Sequence, residues 1–147
     1  TLIAGAMAIP VNDALIEMSQ SAPEKAYRMM TSWGHGPGAH KFDNTQPGHA
    51  FLGYGRRVMA QNDRAALHAD LVACNSYDGG KDAAASVTQP SLCLLAGKDK
   101  MTPVKFGRKM AEQISGAQCH VFERAGHFLP AEFPIEVNDA MAAFLSR

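Results

Sequence analysis

The chain lacks an excess of charge of either sign: its 147 residues carry 14 Lys plus Arg against 14 Asp plus Glu. With no basic run interleaved with aromatics, nucleic acid is not an expected partner, and nothing draws the chain to anionic lipid. Long apolar runs are missing too. None approaches the ~20 residues that a spanning helix needs, so no membrane partner is expected either. The opening TLIAGAMAIP has no basic flank and does not read as a secretory leader. Leu2 to Met7 reads instead as a buried strand already inside a fold, as though the chain starts in mid-domain. Cysteine is sparse: Cys74, Cys93 and Cys119 form no CxxC, and two of them sit in apolar, strand-like runs. They are read as reduced and structural, which suits a cytoplasmic location. G-x-G-x-x-G and Walker patterns are absent, so no cofactor is expected.

What is present has two textures. The length suits one domain able to bury a core, in which residues 1–10 supply a strand. Residues 11–89 are mostly helical patterns around a Gly/Pro-rich loop, and 90–147 alternates strand, helix, strand, helix. Asn12 is placed to cap a first helix, and Ser21 with Glu24 forms a capping box for a second, with Pro23 in its first turn. The loop between Trp33 and Gly53 carries His35, His40 and His49, and a further helix is expected from about Asp63 to Cys74. Ser91 to Ala96 is an apolar run suited to a strand covered on both faces. Thr102 as cap and Pro103 at the first helical position then start a helix whose Phe106, Met110 and Ile114 share a face, with Gly116 at its stop. Cys119 to Phe122 is the next strand, and Val137, Met141, Phe144 and Leu145 give the last helix its buried stripe. Such alternation with short joints implies parallel crossovers.

The chemistry gathers at two strand ends. Asp99 follows the first apolar run, His127 follows the second, and they lie 28 residues apart. Neighbouring parallel strands would bring both to the carboxyl edge of the sheet, where open α/β sheets place their sites. A carboxylate that orients an imidazole and an imidazole that moves a proton are two members of a catalytic triad. Asp13, Asp70 and Asp78 are poorer acids, because none follows an apolar strand. The three loop histidines lack a paired Cys or the i, i+4 spacing that presents two imidazoles together, so they read as solvated loop residues and no metal is expected. Met7, Met18, Met29, Met30 and Met59 could line an apolar cavity, and core packing explains them equally well.

Gly97-Lys98-Asp99 followed by Met101-Thr102-Pro103, then Ala125-Gly126-His127, then Glu132-Phe133-Pro134, together resemble the carboxyl-terminal half of an α/β-hydrolase. The resemblance is specific over 90–147 and generic before it. It implies an α/β fold: a partial parallel sheet of about three strands with flanking helices, and a helical lid over residues 11–89. It also implies a serine hydrolase acting on a carboxylic ester, lactone or related acyl compound, with His127 as base and Asp99 as the acid that orients it. The expected partner is a small, apolar acyl substrate.

The departure from the family is at the nucleophile. No Ser, Cys or Asp of this chain has Gly both two before and two after it, and the family's oxyanion loop would lie further upstream. The chain alone is therefore expected to be inactive. The same fold with other chemistry (an epoxide hydrolase, a dehalogenase or a carbon-carbon bond hydrolase) remains an alternative, as does a non-catalytic binding fragment. Leu2 to Met7, as an exposed sheet edge, would favour self-association.

Overall fold

The computed structural model describes residues 1–40 and 50–146. Along the chain come β1 (Leu2–Ile3), α1 (Asp13–Ser21), α2 (Pro23–Gly34), a 3-10 turn (Pro37–His40), α3 (Phe51–Ala60), α4 (Arg64–Ser76) and α5 (Gly80–Ala85). They are followed by β2 (Leu92–Ala96), α6 (Val104–Gln113), β3 (Gln118–Phe122), the short α7 (Leu129–Glu132) and α8 (Pro134–Leu145).

The three strands form one parallel sheet in the order β1-β2-β3, with Leu2 opposite Cys93 and Ala96 opposite Phe122. Because side chains alternate across a strand, β2 feeds two cores at once. Leu92, Leu94 and Ala96 pack with Phe122, Leu129 and Val137, against which Ala140 and Phe144 of α8 lean. Cys93 and Leu95 face the other way, onto Ala84 of α5 and Met110 and Ala111 of α6. All five β2 residues are buried. Each fully buried Leu contributes ~1.5–3 kcal/mol of hydrophobic stabilisation, so this strand anchors the molecule. A third cluster, Leu15, Ala26, Met30 and Leu71, joins α1, α2 and α4.

Local signals explain several boundaries. Asn12 caps α1 by accepting the Ala14 N–H at 2.8 Å, and Asp63 caps α4 through the Ala65 N–H at 2.7 Å. Gly116, at φ 69°, takes the left-handed turn between α6 and β3.

Other expectations are corrected. The strand expected over Leu2 to Met7 is only two residues long, because Ala4 adopts φ 48° and turns its carbonyl out of the ladder toward Thr102. No Ser21 capping box forms. Ser21 closes α1, its hydroxyl donates to the Glu17 carbonyl, and Ala22 precedes α2 with no side-chain cap. Pro103 takes the cap position of α6, since the Thr102 hydroxyl is engaged elsewhere. Leu145 is 73% exposed: Phe144 takes the core-facing position of the last turn of α8, and Leu145 beside it points to solvent. Cys93 is buried as expected, whereas Cys119 lies on the exposed part of the edge strand β3. Burial, with a smaller push from Cys119, raises the Cys93 thiol above its ordinary value, so it packs as a hydrophobe. The methionines divide: Met18, Met29, Met30 and Met59 belong to the helical cluster, while Met7 packs with the β2–α6 core.

Candidate active site

The turn after β2 and the loop after β3 are hydrogen-bonded to each other before any side chain is considered. The Gly97 N–H donates to the Phe122 carbonyl at 2.9 Å, and the Lys98 N–H to the Ala125 carbonyl at 2.8 Å. Two adjacent parallel strands therefore end in one joined rim, which carries Asp99 on one loop and His127 on the other. Their side chains meet there, with His127 Nδ1 2.9 Å from Asp99 Oδ2.

Asp99 is 6% exposed and every oxygen is used. Oδ1 accepts the Met101 and Thr102 backbone N–H groups at 2.8 Å each, and Oδ2 accepts from His127 and from the Thr102 hydroxyl at 2.8 Å. Burial pushes the carboxyl's pKa up, but hydrogen bonds from His127 and Thr102, helped by the His127 charge, outweigh it and hold the group below its ordinary 3.8. Asp99 is thus an ionised acceptor. It draws the proton of a neutral imidazole to Nδ1, which leaves the lone pair on Nε2. The His127 side chain is 27% exposed, so that nitrogen belongs to a ring that solvent reaches.

Thr102 completes the cluster. Its hydroxyl is 2.6 Å from the Ala4 carbonyl, 2.8 Å from Asp99 Oδ2 and 3.2 Å from His127 Nδ1. One hydroxyl proton cannot serve both the carbonyl and the carboxylate fully, so it is shared between them. This ties β1 to the acid and explains the turn at Ala4. The sequence reading missed the role because Thr before Pro also reads as a helix cap; Asp followed three residues later by Thr was the available signal.

No protein-family model matches the chain, and no curated protein matches it. Among solved structures, an esterase from Exiguobacterium antarcticum superposes with a TM-score of 0.82 at 18% identity, over 99% of this chain and 57% of that one. The enol-lactonase from Burkholderia xenovorans LB400 gives 0.82 at 17% identity over 99% and 55%, and a thermophilic esterase 0.79 at 26% over 99% and 55%. This chain has the carboxyl-terminal half of the α/β-hydrolase fold. It spans 55–57% of the length of these three structures.

Within this α/β-hydrolase half, the remaining candidates fall into place. Asp13, Asp70 and Asp78 are exposed, and none of them hydrogen-bonds to His127. His35 departs from expectation: it is 6% exposed, its Nδ1 pairs with the Thr31 carbonyl at 2.8 Å, and its ring lies 4.7 Å from that of Phe128. The end of α2 packs on the His127 loop, and that contact buries it. His40 closes the 3-10 turn, and its side chain, like the whole of His49, lies outside the described residues. Among the described residues no group of His, Cys, Asp and Glu could hold a metal.

A second Ser–His contact, Ser19 Oγ to His68 Nδ1 at 3.1 Å, is not a nucleophile and its base. The Ser19 proton goes to the Ile16 carbonyl at 2.6 Å, so the imidazole donates to the hydroxyl oxygen rather than withdrawing its proton. Ser19 is also almost fully buried. Among the described residues, no Ser, Thr or Cys side chain hydrogen-bonds to His127 Nε2.

Proposed function

We propose that this chain is the acid-and-histidine part of a serine hydrolase that acts on a carboxylic ester, lactone or related acyl substrate. The observation that carries the reading is the 2.9 Å contact between a buried, ionised Asp99 and the inner nitrogen of His127. In the reaction, Nε2 of His127 takes a proton from a serine hydroxyl as that oxygen attacks the carbonyl, and returns it to the leaving group. Asp99 holds the ring and stabilises the imidazolium. The esterases and the enol-lactonase among the structural neighbours support an acyl substrate, and fold likeness alone does not fix which one.

The helical segment 11–89 would serve as the lid, its Met- and Trp-bearing cluster giving an apolar wall for the acyl group. No nucleophile elbow lies in this sequence, so the 147-residue chain is expected not to turn over short chromogenic esters. Hydrolysis that disappears in His127→Ala would reveal a nucleophile within it. Reading the DNA immediately upstream of the Thr1 codon tests the assignment. An in-frame G-x-S-x-G supports it. Asp at the elbow would transfer the chain to the epoxide hydrolases or dehalogenases, and a stop codon would overturn the serine mechanism.

The open side of β1 presents a second, independent expectation. Among the described residues β1 has a strand partner on one side only, and Leu2 is exposed. Two copies are proposed to pair through that edge. Sedimentation should show mass rising with concentration; a monomer throughout would contradict it.

A further inference from the structure

Glu132, the last residue of α7, has no part in the proposed triad, yet its carboxylate lies between two distant backbones. Oε2 accepts the Gly36 N–H at 2.8 Å, and the Gly126 N–H lies 3.1 Å from both oxygens. One donor precedes His127 directly, and the other lies just beyond the end of α2, 96 residues away from Glu132. The approach leaves no room for a side chain at either donor. A Cβ on Gly126 would stand 2.2 Å from the Gly36 nitrogen, and one on Gly36 would stand 2.7 Å from Glu132 Oε2. A second tie runs alongside. The Phe128 N–H donates to the Gly34 carbonyl at 3.0 Å, and the Phe128 ring contacts that of His35.

His127 is therefore the single residue between two anchors, Gly126 held through Glu132 and Phe128 held by Gly34. We propose that Glu132 is a positioning residue that couples the end of α2 to His127. Docking of residues 34–36 then sets the imidazole against Asp99, and displacement of the helical segment releases it. The proposal rests on His127 being the base of the proposed reaction. A carboxylate suits the task because its two oxygens accept from both N–H groups, whereas an amide presents one acceptor and a competing NH₂.

The test follows two readouts in the 147-residue chain and its variants: hydrogen exchange at the Gly36 and Gly126 amides, and the tautomer signature of ¹⁵N-labelled His127. Glu132→Gln should speed exchange at both glycines by about tenfold or more and turn a single Nδ1–H form of His127 into an averaged one. Protection of β2 should stay unchanged. Gly36→Ala, whose Cβ would meet the carboxylate and also the Arg124 carbonyl and Gly126 nitrogen of the His127 loop, separates residues 34–36 from that loop and should alter the His127 signature in the same way. Glu132→Asp, shorter by one methylene, should give an intermediate result. If Glu132→Gln does not fold, these two variants decide the matter. Faster exchange at Gly126 alone, or an unchanged His127 signature in the folded variants, would overturn the coupling. A parent chain that lacks the Nδ1–H form would instead sink the reading of His127 as base.

Discussion

The strand-and-helix part of the molecule, residues 90–146, and the helical part, residues 11–89, are held together by different means. In the first, one strand is buried on both faces, and two loops are bonded to each other through backbone groups. In the second, four helices share a smaller cluster in which only Leu15, Ala26, Met30 and Leu71 are buried and partly exposed methionines make up much of the rest. The Asp99–His127 pair, for which the proposed chemistry requires a fixed geometry, sits on the first. The adaptable, Met-rich surface belongs to the second.

That contrast can be broken by substitution. Leu94→Ala, at a fully buried position in the central strand, should cost ~2–5 kcal/mol and lower the urea midpoint of the whole chain. Leu71→Ala should loosen α1, α2 and α4 first, so that hydrogen exchange quickens there while β2 and β3 stay protected. Equal loss of protection in both parts would show that they unfold as one unit.

Asp99→Ala is next in size. It removes the acceptor of two backbone N–H groups and leaves them buried without a partner, for an expected loss of ~3 kcal/mol in denaturant titration. The pH dependence has a defined sign. Asp99 is held below its ordinary 3.8, so its contribution is complete above that pH and is lost as pH falls through the lower folded value. Asp99→Asn should flatten the acid limb of a stability-against-pH curve, and an unchanged limb would assign it to other carboxyls.

Thr102→Val keeps the shape but deletes the hydroxyl shared by Ala4 and Asp99, and should cost ~1 kcal/mol, with Thr102→Ser restoring most of it. At the far end of α8, Leu145→Ser should stay within ~0.5 kcal/mol of the parent. A larger loss would mean that the exposed last turn packs on something in solution.

The parts legible in the sequence were those set by short-range pattern. The apolar run over β2, the Asn12 cap, the helix start near Asp63, and the strand-end positions of Asp99 and His127 all follow from neighbours along the chain. What stayed hidden depends on contacts far apart in sequence. His35 reads as a loop residue until Phe128 packs against it, and Glu132, legible as part of the start of the last helix, shows its tie to α2 only when Gly36 arrives. Thr102 fits a cap equally well; its spacing from Asp99 hints at the bond to the acid, and its tie to the Ala4 carbonyl, 98 residues away, is seen only in the fold. α5 begins at a pair of glycines, a signal for a break rather than a start, and its helix combines the local preference of Ala83, Ala84 and Ala85 with packing of Ala84 in the β2–α6 core.

The proposed chemistry depends most on the orientation of one imidazole. A long-range ¹H–¹⁵N spectrum of His127 at neutral pH should show the proton on Nδ1, facing Asp99, with Nε2 bare. In Asp99→Asn the signature should lose that fixed form. A proton found on Nε2, or two nitrogens averaging as in a free histidine, would contradict the acid–base pair on which the proposed chemistry stands.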